Sequence, residues 1–277
     1  MTGAQAYQFE VQGQSEFIDN TANEQNFTGA VQGTYYFNNV DASKGPLAEA
    51  AFLNQASNVS LAYNYGEYDE VGLDIVSHTY GAKAEAYIPT KFVPAYASAS
   101  YSHTIADNKA GDVDGNGDRY ALELGALLIP NFLVAVGYTS VADQTSYDAF
   151  NMFNNGVAKA ALESGTINED QDAITARTKY VGAIDGTNMS IGFESGLVYG
   201  EDTAYNLGTT LFLNPQLSVG ASYMESSFAG SPDKAWGANV NYFITPAVAV
   251  GASYVNANAE GQALDTQTIG VNAKFRF

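Results

Sequence analysis

Apolar and polar side chains alternate along most of this chain. Tyr7, Phe9, Val11, Gly13 and Phe17 alternate with Gln8, Glu10, Gln12, Gln14 and Glu16; further on, Tyr80, Ala82, Ala84, Ala86 and Ile88 alternate with Lys83 and Glu85. At the far end Ile269, Val271, Ala273, Phe275 and Phe277 alternate with Gly270, Asn272, Lys274 and Arg276. A period of two marks a strand with one oily face, because successive side chains point to opposite sides of a sheet. Followed along the chain, the alternation predicts strands near 7–18, 27–37, 59–68, 78–88, 95–104, 119–129, 132–141, 175–184, 189–199, 204–213, 217–225, 235–243, 247–256 and 266–277. That is about fourteen strands, most of them about 9 to 11 residues long, the length a tilted strand needs to cross a bilayer.

Turn signals punctuate the pattern. PNFLVAVGYT from Pro130, PQLSVGASYM from Pro215 and PAVAVGASYV from Pro246 each place a Pro before an alternating run and a Tyr eight positions later, at Tyr138, Tyr223 and Tyr254. Pro cannot donate to a ladder and belongs at a strand's start, so the copies read as a hairpin repeat with Tyr at constant height. The uncharged stretch LGALLIPNFLVAVGYTSVA, Leu124 to Ala142, has the length of a spanning helix. Pro130-Asn131 breaks its middle and it is rich in β-branched and aromatic residues, so it reads as two strands and a tight turn.

Alternation also fits a soluble sandwich. The polar side discriminates: it is Gln, Ser, Thr, Gly and a few mixed charges rather than a dense Lys/Glu coat, and aromatics gather at strand ends. The expected fold is therefore all-β, a closed antiparallel up-and-down transmembrane β-barrel of about 14 strands, with an apolar belt and aromatic girdles outside and a polar interior. Closure is required because an open edge cannot be satisfied in lipid. Phe275 and Phe277 then sit on the outward face of the closing strand.

Composition narrows the function classes. The chain has 277 residues, 19 Tyr, 15 Phe, 27 Gly, no Cys and a net charge of −19. Without Cys there is no disulfide framework and no thiolate-ligated metal. With 11 basic residues against 30 acidic ones, nucleic acid is excluded as a partner. Ala4-Gln5-Ala6 has the small-x-small form of a signal-peptidase site, so residues 1–6 read as a signal-peptide remnant and 7–277 as the barrel.

The closing strand ending on an aromatic, together with AYQFEVQGQSEF and GPLAEAAFLNQAS, resembles the outer-membrane porins of Gram-negative bacteria. More particularly it is similar to the porin group that includes a small channel-forming outer-membrane porin of Acinetobacter. The resemblance covers the chain from Tyr7 and implies a fourteen-strand barrel with a narrow, gated pore. It also implies outer-membrane lipid and lipopolysaccharide as surroundings and the barrel-assembly machinery as the reader of the terminal strand.

With the short connections placed on the periplasmic side and the longer ones outside, most acidic residues fall on outer loops or strand rims, where a negative potential concentrates cations. By alternation Lys83, Arg177, Lys179, Lys274 and Arg276 share the inner wall with Glu10, Glu16, Glu85, Glu123 and Glu194, and rings of mixed charge set selectivity. One connection on the short-turn side is long: residues 38–57 carry Lys44, Pro46, Leu47, Glu49, Phe52 and Leu53. Their apolar side chains need cover, so the segment is expected to plug the lumen with a one- or two-turn helix after Pro46. Residues 142–174 form a second long connection, outside, able to fold over or into the mouth.

DVDGNGDRYALE places Asp112, Asp114, Asn116, Asp118 and Glu123 at EF-hand spacing. Arg119 replaces the usual apolar residue, and Glu123 lies on a strand where an EF-hand needs a helix, so calcium is the minor reading and a hairpin loop the main one. Catalysis finds little support: His78 and His103 both point toward lipid near the outer rim, and no Gly-x-Ser-x-Gly elbow occurs. The sequence thus points to a passive channel for water, ions and small hydrophilic solutes, without cofactor, with a modest cation preference and a lumen narrowed by 38–57. A surface β-domain that binds host molecules and an outer-membrane hydrolase are the alternatives.

Overall fold

A computed structural model describes residues 6–20, 23–70, 73–109, 115–143, 148–150, 171–227, 233–258 and 265–277. Its strands are β1 (Tyr7–Asn20), β2 (Asn23–Val40), β3 (Asn58–Glu70), β4 (Leu73–Ile88), β5 (Ala95–Asn108), β6 (Gly115–Ile129), β7 (Phe132–Asp143), β8 (Asp172–Ala183), β9 (Ser190–Tyr199), β10 (Thr203–Phe212), β11 (Leu217–Ser226), β12 (Lys234–Thr245), β13 (Val248–Asn258) and β14 (Asp265–Arg276). Each pairs with its sequence neighbours, and β1 pairs antiparallel with β14, closing a fourteen-strand barrel. Beyond the last strand Phe277 continues the seam: its N–H donates to Phe9 O (2.9 Å), and its carbonyl accepts from Gln8 N (2.8 Å) and Phe9 N (3.1 Å). Among the described residues, helix is confined to a 3-10 turn, Leu47–Glu49, and α1, Ala50–Leu53.

The two faces are inverted relative to a soluble protein. Leu61, Leu122, Leu124, Val136 and Ile269 are exposed on the outside, whereas Glu10, Thr34, Ser60, Thr79 and Ser102 are buried within. Ring pairs band the outer surface. Phe9–Tyr35 (4.9 Å) lies at the short-turn end, and Phe17–Phe27 (5.6 Å), Tyr101–Tyr120 (5.2 Å) and Trp236–Tyr254 (5.4 Å) lie toward the other. Such girdles sit where a bilayer meets water.

The strands outrun their expected bounds mainly at the long-connection end. β2 reaches back to Asn23, β4 begins at Leu73, β5 continues to Asn108, and β6 begins at Gly115. Hairpin hydrogen bonds continue above the oily belt, where alternation is no longer needed, so the pattern alone stops short. Tyr7 departs from the face that alternation assigns it. A register shift between Tyr7 and Phe9 turns it inward, where it is 3% exposed and meets Tyr36 edge-on at 5.6 Å. There two steps along β1 oppose five along β2, from Tyr35 to Val40, and this irregularity in pairing interrupts the in-out sequence.

The inverted faces predict an asymmetric response to charge. Leu122→Arg, mid-strand on the outer face, should destabilise the barrel by about 2–4 kcal/mol, and Gln32→Lys, on the inner face, by far less. Urea titration of the protein folded into liposomes measures both.

Candidate functional site

Inside the barrel, toward the short-turn end, charged side chains from six strands and one connection meet in three groups. At the β1–β14 seam Glu10 accepts from Lys274 Nζ (3.1 Å) and Arg276 Nε (2.7 Å). Arg276 also donates from Nη1 to Leu47 O (2.8 Å), and its guanidinium lies over the rings of Tyr7 (4.5 Å) and Phe243 (4.6 Å). On β8 and β9, Lys179 Nζ is held between Glu49 (2.8 Å) and Glu194 (2.9 Å), 5.1 Å from the centre of the Phe52 ring. In the third group Arg177 binds Glu123 through Nε and Nη2 and donates from Nη2 to Tyr96 OH (2.9 Å). Tyr96 in turn donates to Glu85 (2.5 Å), which also pairs with Lys83 (3.3 Å).

Five cations thus face five carboxylates, Glu10, Glu49, Glu85, Glu123 and Glu194. The cancellation follows from topology. Antiparallel pairing sets Glu10 opposite Arg276 and Lys179 opposite Glu194, and a charge taken out of bulk water persists only with a partner. Glu16 stands apart: it is buried farther up β1 and accepts from Gln14 Nε2 (2.5 Å) and Thr28 Oγ1 (3.1 Å).

Residues 41–57, between β2 and β3, lie within this ring of charge. Ala50 and Ala56 pack with Tyr7, Tyr36 and Val40 on the β1–β2 wall. Phe52, with Ala48 and Leu53, packs on Tyr96, Leu127, Leu133, Val181 and Phe212, which come from β5 to β10. Ala42 and Leu47 reach Phe243 and Ala249 on β12 and β13. The segment therefore touches the wall on three sides. Leu47 N donates to Pro215 O (2.8 Å), and Asn54 Nδ2 donates back to Asp41 O (2.8 Å), stapling the two ends of the segment together. Gly45 has φ +142°, and a Cβ there would stand 2.8 Å from Leu53, so the turn before the helix needs glycine. Pro46 is buried, and Lys44 is exposed at the rim, apart from the packed residues. A cavity of about 350 Å³ lies above, lined by Glu49 and Phe52 on one side and Asp148 and Phe150 on another.

The EF-hand spacing does not assemble a ligand set among the described residues. Asp118 accepts from Tyr101 OH (2.6 Å) and pairs with His103 Nδ1 (2.8 Å) on the outer face, whereas Glu123, an odd number of residues on, faces the lumen and Arg177. Asn116 lies on β6 above Asp118; Asp112 and Asp114 fall outside the described residues, as do residues 1–5 of the expected signal remnant. No group of three or more His, Asp or Glu could hold a metal among the described residues. The alternation missed Tyr96, which bridges Glu85 and Arg177; nothing in a lone Tyr on an alternating strand signals that role.

The family described as "Putative general bacterial porin" matches residues 2–277. The chain is a porin. It is similar to the outer membrane protein Omp33 of Acinetobacter baumannii, whose crystal structure it matches with 56% identity over 99% of this chain and 100% of that one, at a TM-score of 0.76. Two further channels share the fold alone. The CymD monoaromatic hydrocarbon channel matches with 10% identity over 99% of this chain and 89% of that one (TM-score 0.60). The toluene transporter TbuX of Ralstonia pickettii matches with 7% identity over 99% and 90% (TM-score 0.57). No curated protein matches the chain. The porin belongs to the outer membrane, and its family is one of channels rather than enzymes.

Removing one member of the seam group should cost the porin dearly. Glu10→Ala leaves the buried Arg276 and the half-buried Lys274 without their carboxylate, a loss of about 3–5 kcal/mol. Equilibrium unfolding in detergent or liposomes reads it, and Glu10→Gln should lose less.

Proposed function

We propose that this porin is a passive diffusion channel for water, ions and small hydrophilic solutes, narrowed by residues 38–57 and modestly cation-preferring. The observation that carries the reading is the contact of residues 41–57 with three sides of a polar inner wall. Lys179 is shared between Glu49 on the segment and Glu194 on the wall, so the segment can leave without stranding the cation.

The three paired groups inside balance among themselves, which gives the mouth the larger share in ion preference. Glu67, Asp107, Asp172, Glu201, Asp202 and Glu225 stand at or beside the long-connection ends of the strands, against Lys109 and Lys234. Their potential is screened within about 10 Å at 0.1 M salt, so the preference weakens as salt rises. Lipid and lipopolysaccharide would contact the girdled outer face, and the barrel-assembly machinery the closing strand with Phe275 and Phe277.

Two outcomes follow in planar bilayers. Deleting residues 40 to 55 should raise single-channel conductance; an unchanged conductance in an intact barrel would reject the constriction. Reversal potentials under a salt gradient should show cation preference that shrinks with ionic strength, and anion preference would reject the mouth as the selective element.

A further inference from the structure

One lumen carboxylate is left out of the pairing that governs the others. Glu10, Glu85, Glu123 and Glu194 on the strands, and Glu49 on the inner segment, each hold a Lys or Arg within 3.3 Å. Among the described residues Glu16 has two partners, both neutral: Gln14 Nε2 donates to Oε1 (2.5 Å), and Thr28 Oγ1 donates to Oε2 (3.1 Å). Its side chain is buried in the inner wall, 6% exposed. The contrast with β4 is direct. There Lys83 stands two residues before Glu85 and neutralises it, whereas on β1 the same offset is filled by Gln14. Gln supplies a hydrogen bond and no charge.

The surrounding wall is neutral as well. Strand register sets Glu16 opposite Thr28 on β2 and Gly270 on β14. From Gly270 the row continues through Ser253 and Asn239, and from Thr28 through Gly66 and Ser77. Across β12, β13, β14, β1, β2, β3 and β4, Glu16 is therefore the only ionisable group in that row. A Cβ on Gly270 would stand 3.4 Å from Glu16 Cγ, so the glycine leaves room for the acidic stem. Glu16 lies farther up β1 than Glu10, by about 20 Å at the rise of a strand, and below the strand's end at Asn20. It thus stands beyond the paired groups and inside the mouth. A carboxylate withdrawn from water needs compensation. The two donated hydrogen bonds favour its charged form, and the counter-charge is left to the solution in the lumen. A charge set in a low-dielectric wall is screened by salt much less than one on an exposed loop.

We propose that Glu16 is the salt-resistant determinant of the porin's cation selectivity: its lone negative charge favours small inorganic or organic ammonium cations in the lumen above the paired groups and disfavours anions there. It acts through its field rather than as a ligand of the ion. The acidic mouth adds the larger share, which salt removes. The proposal rests on the channel reading above.

Reversal potentials in planar bilayers separate the two shares. In potassium chloride, whose two ions diffuse alike, the screening length falls to about 3 Å near 1 M, so a gradient kept above that concentration silences the mouth. There the parent should still prefer cations. Glu16→Gln, close in shape and still able to accept from Gln14 and Thr28, should lose that preference, its reversal potential falling to zero while heat-modifiable gel mobility is kept. Gln14→Lys, which rebuilds the Lys83–Glu85 arrangement around an intact Glu16, should give the same loss, and it carries the test should Glu16→Gln not fold. A parent with zero reversal potential at high salt, or a folded variant that keeps the parent's value, overturns the proposal and leaves the channel standing. Failure of every form to conduct, the 40–55 deletion included, overturns the channel reading and the proposal with it.

Discussion

Hydrocarbon offers no hydrogen bonds, and that single fact orders the molecule. Every peptide group in the belt must find its partner within the sheet, and the sheet must have no edge. Pairing β1 with β14 meets that demand. Once the wall is closed, alternation leaves no choice about faces: if Leu122 and Leu124 meet lipid, then Glu123 between them meets the lumen. The polar interior is thus a consequence of the oily exterior.

A polar interior of this width brings its own constraint. Charges held on a narrow inner wall, partly withdrawn from water, are tolerated only in pairs, and the antiparallel register supplies them across neighbouring strands. The connection after β2 exploits the same chemistry: Glu49 joins Lys179 and Glu194, and Arg276 binds the Leu47 carbonyl while holding Glu10. Barrel closure and the position of the inner segment are therefore fastened through one guanidinium. Within these three groups five cations balance five carboxylates.

Much of this was legible in the sequence, and for identifiable reasons. A period of two over fourteen segments, Pro at strand starts and aromatics at strand ends are local signals, and they report architecture directly. The family then follows from the whole chain. What stayed hidden is non-local or depends on a local irregularity in strand pairing. The bulge that turns Tyr7 inward breaks alternation without any glycine or proline to mark it. The role of Tyr96 depends on Arg177, far away in sequence, reaching across from β8. The spacing of Asp118 and Glu123 looked like a metal loop because spacing in a string ignores which face of a strand each residue takes. Strand ends above the membrane were underestimated because a pattern imposed by lipid vanishes where lipid does.

The central claim is the inversion of faces, and adjacent residues on one strand expose it most sharply. Ala99 and Ser100 sit mid-way along β5, one outside and one facing the lumen cavity. Each can be replaced in turn by cysteine in a chain that has none. In liposomes, a small charged thiol reagent that does not cross lipid should label residue 100 readily and leave residue 99 protected. Equal labelling of the two, or the reverse order, would contradict the account.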